Sequence, residues 1–353
     1  MTFIAINGFG RIGRLVLRRM IEKNAPLQVV AINASYPAKT LAHLLQYDSV
    51  HRSPTFSIDY TDDALIVNGE RIQLIQEREP DQLPWKELKI DMVIEATGQF
   101  TDRSGASRHI QAGAKKVVIT APAKDEDVTL VMGVNHTLYD PEKHHIISNA
   151  SCTTNALAPV VKVLHDAFGV QHGMMTTVHS VTNDQKVLDN PHKDLRRART
   201  SSLSIIPTST GAAKAIGKVI PDLNGRLTGM ALRVPTPNVS MIDLVAYLSQ
   251  DVTKEEVHRA FAQAAEEELS GILTLSDLPL VSSDYIGDSH SAVVDGELTK
   301  VMGRMVQVFA WYDNEWAYSD RVVDLVTYMV QANKPGGASA LCAEGKDRAL
   351  ETV

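Results

Sequence analysis

Phe3-Ile4-Ala5-Ile6-Asn7-Gly8-Phe9-Gly10-Arg11-Ile12-Gly13 runs an apolar strand straight into a full G-x-G-x-x-G turn. Leu15, Val16 and Met20 continue as one face of a helix, and Leu27-Gln28-Val29-Val30-Ala31-Ile32 follows as a second strand. Strand, glycine turn, helix and strand within about thirty residues is the context that makes this motif a dinucleotide fingerprint. Gly8, Gly10 and Gly13 permit the tight turn and let the backbone approach a pyrophosphate seated on the helix N-terminus. Arg11 and Ile12 complete that expected cofactor-binding segment.

Further strand-and-turn units follow at Asp91–Gly98 and Lys115–Pro122. Ligands bind at the carboxyl ends of such strands, so Thr97, Gly98 and Thr120 are expected around the cofactor, although each also reads as ordinary loop chemistry. Asn68-Gly69 joins two β-rich runs and predicts a hairpin beside the parallel strands. An NAD site normally carries Asp or Glu at the end of the second strand to grip the ribose 2′-hydroxyl. Here that strand ends Asn33-Ala34-Ser35-Tyr36, and no carboxylate occurs from Lys23 to Tyr47. Nothing there repels a 2′-phosphate, and Asn33 and Ser35 are expected to donate to one. NADP is therefore expected, with NAD still possible if the missing acid is replaced without consequence.

In Ser148-Asn149-Ala150-Ser151-Cys152-Thr153-Thr154-Asn155, Cys152 follows the apolar Ile146-Ile147 and precedes a helical face of Leu157, Val160, Val161 and Leu164. That places Cys152 at a strand-to-helix corner, where helix N–H groups stabilise a thiolate and can hold an oxyanion or phosphate. A free Cys is also commonly a buried spectator. Gly173–Val181 reads as a strand carrying His179, and Leu227–Val234, Met241–Leu248 and Met305–Tyr312 read as further strands, with helices over 253–269 and 315–331. Strands with few helices imply an α+β domain with a mixed, largely antiparallel sheet. Spacing does not choose among His179, His165, His172 and His192 as a base for Cys152. Thr182-Asn183-Asp184, Thr208-Ser209-Thr210-Gly211 and Arg233 suit phosphate, as they also suit turn capping.

The chain has 353 residues, 44% hydrophobic and 22% charged, which suits a two-domain globular protein. No apolar run is long enough to span a bilayer, and the N-terminus shows no basic segment followed by a long apolar core. Two distant cysteines, Cys152 and Cys342, fit a reducing cytoplasm and give no disulfide framework or metal cluster. The net charge of -7 argues against nucleic acid or an anionic membrane as the main partner. Arg196-Arg197-Ala198-Arg199 is a local exception that fits phosphate or, more simply, salt bridges.

Asn7–Arg14, Ser148–Asn155, Asp194–Arg199, Arg233-Val234-Pro235-Thr236-Pro237-Asn238-Val239 and Trp311-Tyr312-Asp313-Asn314-Glu315-Trp316 together resemble the phosphorylating glyceraldehyde-3-phosphate dehydrogenases, over residues 3–332. Asn33-Ala34-Ser35-Tyr36 is similar to their bacterial NADP-preferring, gluconeogenic branch. The resemblance implies a Rossmann-type dinucleotide domain (1–151), a catalytic and tetramerisation domain (152–316), a C-terminal helix packed on the first domain (317–334) and a tail (335–353). It implies Cys152 as nucleophile and His179 as its base. Ser151, Thr153, Thr210 and Gly211 would hold inorganic phosphate. Thr182 and Arg233 would hold the phosphate of glyceraldehyde 3-phosphate, with Asp184 supporting Arg233 and Arg197 in the same phosphate-binding set. Arg78, Asn314 and Tyr318 would join the cofactor site, Asn314 orienting the carboxamide. Residues 180–206 would reach a neighbouring subunit of a cytoplasmic homotetramer.

Ala156 stands where a second Cys is common in that family, Ala317 stands where Gly is usual, and the tail's lone Cys342 gives no intrachain disulfide switch. Erythrose-4-phosphate dehydrogenase uses the same thiohemiacetal, although Lys193 and Ala198 look more like the glyceraldehyde-3-phosphate enzymes. A non-catalytic protein on this fold, binding RNA through the cofactor cleft, is opposed by the intact Cys152, His179 and Arg233 and by the acidic charge.

Overall fold

The structure is a computed structural model and describes residues 2–334. The expectations attached to the tail and to Cys342 lie outside the described residues. The chain divides into two compact units, one drawn from Met1–Leu130, Asn135–Ala150 and Ser319–Val353, the other from Val131–Val134 and Ser151–Tyr318.

In the first unit, β1 (Thr2–Asn7), α1 (Arg11–Glu22), β2 (Leu27–Asn33) and α2 (Ala38–Gln46) open the fold. β3 (Ile58–Thr61), β4 (Ala64–Val67) and β5 (Glu70–Ile75) follow. β6 (Met92–Glu95), α3 (Arg103–Gln111), β7 (Lys116–Ile119), β8 (Val128–Thr129) and β9 (Ile146–Ser148) complete its sheet, in the order β3-β4-β5-β2-β1-β6-β7-β9-β8. Every pair from β5 to β8 across the sheet is parallel, whereas β3, β4 and β5 pair antiparallel. Central parallel strands are covered on both faces and so read as unbroken apolar runs; β6 and β7 are buried at every residue. Asn68 (φ 51°) and Gly69 (φ 82°) make the β4–β5 turn left-handed at both central residues, as the Asn-Gly pair predicts. Strand order reverses about β1, between β2 and β6, which is where such sheets open a ligand crevice.

The second unit contains α4 (Cys152–Phe168), β10 (Val170–Ser180), β11 (Ile206–Ser209), α5 (Ala212–Val219), β12 (Leu227–Val234), β13 (Ser240–Leu248), α6 (Lys254–Glu266), β14 (Leu273–Ser276), β15 (Ala292–Met302) and β16 (Met305–Tyr312). Its sheet runs β11-β12-β10-β13-β16-β15-β14. β10–β12 and β14–β15 are parallel and the other four pairs antiparallel, so the sheet is mixed and largely antiparallel, as expected. β11, β14 and β15 are additions to the strands the sequence marked. Alternate residues of β10, Met175, Thr177 and His179, are buried, and α4 packs against β10, β13, β15 and β16.

The last helix, α7 (Trp316–Ala332), belongs to the first unit from Ser319 onward. There Asp320 accepts from Arg19 Nε (2.5 Å) and Nη2 (3.2 Å) on α1, and Lys23 donates to Asp324 (2.5 Å). Asp320 is 1% exposed, so loss of its partner would strand a buried charge at a cost of roughly 3–5 kcal/mol.

Candidate active site

The glycine turn joins β1 to α1. Gly8 has φ +95°, and a Cβ there would lie 2.7 Å from Thr97 N. A Cβ on Gly13 would lie 2.1 Å from the Gly8 carbonyl oxygen. The protein's own backbone therefore demands both glycines. Gly10 differs: a Cβ there meets nothing within 4 Å, and Gly10 is the N-cap of a helix whose N-terminus no side chain caps. A cradle closed at Gly8 and Gly13, open at Gly10, and headed by helix N–H groups fits the pyrophosphate of a dinucleotide. The Arg11 side chain donates to Asp48 Oδ2 (2.6 Å), so toward an anion at the turn Arg11, like Ile12, contributes backbone.

Asn33 departs from its expected role. Its Nδ2 donates to Asn7 Oδ1 (2.7 Å) and Glu77 O (2.7 Å), and its Oδ1 accepts from Glu77 N (3.0 Å). A buried amide so engaged has no donor left for a 2′-phosphate. Ala34 is half-buried and donates its N–H to Ile75 O (2.9 Å). Ser35 and Arg78 are exposed, and Arg78 N donates to Glu77 Oε1 (2.6 Å). Thr97 N donates to Glu95 Oε1 (2.8 Å), and the Thr97 hydroxyl donates to the same oxygen. Gly98 (φ +71°) continues that turn, and the Thr120 hydroxyl donates to Glu95 O (3.1 Å).

Sequence reasoning missed the buried polar chain behind these residues. Trp85 Nε1 donates to His109 Nδ1 (3.0 Å), which fixes the ring's proton on Nε2, facing Glu95 Oε2 (3.1 Å). Asn7 Nδ2 donates to the same carboxylate oxygen (2.5 Å), and Asn33 donates to Asn7. The available signal was a polar residue closing each of three apolar strands: Asn7, Asn33 and Glu95.

In the second unit, Cys152 is the first residue of α4. Ala150, two residues earlier, has φ +56°, a left-handed turn that costs a non-glycine residue roughly 1–2 kcal/mol. Ser151 caps the helix by accepting from Thr154 N (3.0 Å). Cys152 Sγ lies 3.5 Å from His179 Nε2. Of the four histidines that spacing left open, His179 is the one beside the thiol. The parallel register of β10 and β12 sets Arg233 directly opposite His179. Arg233 Nη1 donates to Ser180 O (3.1 Å) and also meets His179 Nδ1.

Burial pushes the Cys152 thiol up, and Arg233 only partly offsets this. The expected thiolate-stabilising corner is thus outweighed by desolvation of the sulphur. Burial, and secondarily Arg233, pushes His179 down to about 3, so the pair rests as thiol and neutral imidazole.

Tyr312, also unforeseen, bridges Thr153 (3.0 Å) and Thr177 (2.9 Å) through its hydroxyl and meets the His179 ring edge-on at 6.0 Å. Asn314 Oδ1 accepts from Ser180 Oγ (2.9 Å) and Ser240 Oγ (2.8 Å), which fixes the orientation of its amide. Tyr318 is buried nearby in sequence, at the start of α7.

The remaining candidates are placed as follows. Thr182 donates its N–H (3.0 Å) and hydroxyl (3.1 Å) to Gln185 Oε1. Asp184 does not bond Arg233 among the described residues. Its carboxylate pairs with Arg197 and with His192 Nε2 (3.2 Å), because these cations lie on the same loop. Arg197 also donates from Nε to Thr208 Oγ1 (2.7 Å). Thr210 and Gly211 sit at the N-terminus of α5, with Thr210 Oγ1 accepting from Ala212 N (3.2 Å). No hydrogen bond among the described residues ties them to Cys152 or Arg233.

A parallel sheet with a dinucleotide cradle, and a second unit bearing a buried Cys–His pair beside an arginine, define a nicotinamide-dinucleotide oxidoreductase of the thiol type. Residues 2–103 match the NAD-binding domain of glyceraldehyde 3-phosphate dehydrogenase, and residues 151–314 match that family's C-terminal domain. The chain is 59% identical over 332 residues to glyceraldehyde-3-phosphate dehydrogenase 2 of Bacillus subtilis, covering 94% of this chain and 97% of that protein. It is 58% identical over 327 residues to the Geobacillus stearothermophilus enzyme (92% and 97%) and 54% over 334 residues to glyceraldehyde-3-phosphate dehydrogenase 2 of Trichormus variabilis (94% and 99%). The chain belongs to the glyceraldehyde 3-phosphate dehydrogenase family. Among the described residues, no helix is long and apolar enough to cross a membrane.

Proposed function

We propose that this chain converts D-glyceraldehyde 3-phosphate and inorganic phosphate to 1,3-bisphosphoglycerate, and the reverse, with NADP preferred to NAD. The observation that carries this reading is Cys152 at the start of α4, 3.5 Å from His179 Nε2, with Arg233 beside the ring. The Cys152 thiolate attacks the aldehyde carbon and forms a thiohemiacetal. His179 takes the hydroxyl proton as the carbonyl re-forms, which leaves a thioester on Cys152. Phosphate, held by Ser151, Thr153, Thr210 and Gly211, attacks the thioester and releases the acyl phosphate. Thr182 and Arg233 hold the substrate's own phosphate, and Arg197 braces that loop through Asp184 and Thr208. When bound by the Gly8–Gly13 turn, the dinucleotide supplies the hydride acceptor. Asn314, its amide fixed by two serines, orients the carboxamide, and Tyr318 closes that part of the site.

The NADP preference rests on the absence of any carboxylate from Lys23 to Tyr47, with Ser35 and Lys39 exposed at the approach to α2. It also rests on the resemblance of Asn33–Tyr36 to the gluconeogenic branch. Asn33 no longer supports it. A homotetramer is supported by the 180–206 loop, which exposes Val187, Leu188, Leu195, Leu203 and Ile205, each at least 67% accessible. A reducing cytoplasm would keep Cys152 free. Steady-state rates with glyceraldehyde 3-phosphate and erythrose 4-phosphate, each with NADP and NAD, test the reading. It fails if the four-carbon aldehyde is used better, or if neither aldehyde reduces either cofactor.

A further inference from the structure

His179 Nδ1 has two neighbours with opposite demands. Ser180 O, 2.8 Å away, can only accept, so it calls for a proton on Nδ1. Arg233 Nη1 can only donate, so it calls for a bare Nδ1 lone pair. One ring nitrogen cannot satisfy both. Ser180 O has an alternative donor in the same Arg233 Nη1, at 3.1 Å. With the guanidinium seated on Nδ1, the neutral ring carries its single proton on Nε2, facing Cys152 Sγ. In that tautomer His179 donates toward the sulphur and has no lone pair there with which to accept a proton. The other titratable group packed against the ring, Tyr312, meets it edge-on and offers no acceptor to either nitrogen. The seat is also incomplete for Arg233, whose buried Nε has no hydrogen-bond partner among the described residues.

We propose that Arg233 gates the tautomer of His179: a phosphomonoester that engages the guanidinium draws it off Nδ1, and Nε2 becomes a base toward Cys152. One proton leaves Nε2 for solvent and one arrives at Nδ1, where it is donated to Ser180 O. The charge of the ring is unchanged and nothing is oxidised or reduced. The Cys152 thiol proton can then pass to the Nε2 lone pair, giving thiolate and imidazolium. The gate rests on the reading that the substrate is a phosphorylated aldehyde, and deepens it. The substrate's phosphate switches on the base as well as anchoring the molecule, so an unphosphorylated aldehyde meets His179 in its donor form.

The test is isotope-edited infrared difference spectroscopy on protein carrying ring-labelled histidine, with His179→Asn identifying the His179 band. The probe is sn-glycerol 3-phosphate, which has the phosphate but no carbonyl to react with Cys152, and its binding is followed by calorimetry. The band should begin as the Nε2–H form and convert to the Nδ1–H form in step with saturation. Arg233→Met should show Nδ1–H without the probe; if that variant does not fold, the titration of the unaltered protein decides alone. An Nδ1–H band before any probe is added, an unchanged band at saturation, or no binding of the probe would each overturn the gate. Failure of the dehydrogenase reading is separate: it would show as no cofactor reduction by the aldehyde while the tautomer still converts.

Discussion

Replacing Gly13 by Ala puts a methyl carbon 2.1 Å from the Gly8 carbonyl oxygen. Unbonded heavy atoms settle at about 3.5 Å. Even if neighbours give way by a few tenths of an ångström, the turn and the start of α1 must separate by about 1 Å. Overpacking of this kind costs roughly 1–3 kcal/mol, partly offset by up to about 1 kcal/mol from alanine's better helix propensity, so the chain should still fold. Binding suffers more, because the N–H groups that face the pyrophosphate move with the helix. A misplacement of about 1 Å costs roughly 100-fold, or about 2.7 kcal/mol. Calorimetric titration with NADP and NAD should show both affinities falling by that factor, since the turn does not read the 2′ position. Gly10→Ala is the control: its Cβ meets no protein atom within 4 Å, so the protein should keep its stability, and any lost affinity reports contact with the ligand. If Gly13→Ala binds either cofactor within threefold of the unaltered protein, the steric reading of the turn is wrong.

Three further expectations bear on the two units. Cys152→Ala should abolish acyl-phosphate formation yet bind cofactor normally, and iodoacetamide labelling of Cys152, taken as the difference from that variant, should keep rising with pH beyond the ordinary thiol range because burial raises the thiol; a plateau below neutrality would refute this. Ala34→Asp should turn a preference for NADP into one for NAD by adding both a grip on the 2′-hydroxyl and repulsion of the 2′-phosphate, and an unaltered protein that prefers NAD at least tenfold, about 1.4 kcal/mol, would sink the idea. His179 titrates at about 3 when folded and near about 6.5 when unfolded, so within that window the unfolded chain binds the extra proton and stability falls as pH drops, by up to about 1.4 kcal/mol per unit; denaturant melts of His179→Asn should show a shallower loss between pH 6 and 4, and equal slopes would refute the assignment.

Local pattern carried the first unit well. A glycine turn between apolar runs has few meanings, and Asn68-Gly69 announces its own turn. The corner at Cys152 was legible for the same reason, since an apolar strand end and a helical face bracket it. What stayed hidden depends on register across long separations. His179 stands out from His165, His172 and His192 only once β10 lies beside β12 and α4 covers the sheet. Tyr312 reads as a strand residue until its hydroxyl is seen between Thr153 and Thr177. Asn33 looked available because its partners, Asn7 and the Glu77 backbone, lie 26 and 44 residues away. The direction of the Cys152 shift turned on burial of the sulphur, which the one-dimensional pattern does not report.

The polar chain from Trp85 through His109, Glu95 and Asn7 to Asn33 also has a consequence for how the protein is made. Its members come from the ends of β1, β2 and β6, from α3 and from the loop before β6, with 88 residues between Asn7 and Glu95. No nascent fragment ending before His109 can close it. Until it closes, Glu95 is an ionisable group facing an apolar interior with some of its donors missing, and that is a strong bias against a half-assembled sheet. The last links form only when distant segments meet, an entropically costly and therefore slow event. Assembly and readiness to bind are thereby joined: the same closure that neutralises the interior fixes Thr97 and the strand ends around the cradle, so chains that trap the dinucleotide are chains whose sheet is finished. A newly synthesised population should acquire cofactor binding and protection of the β1, β2 and β6 amides from hydrogen exchange together.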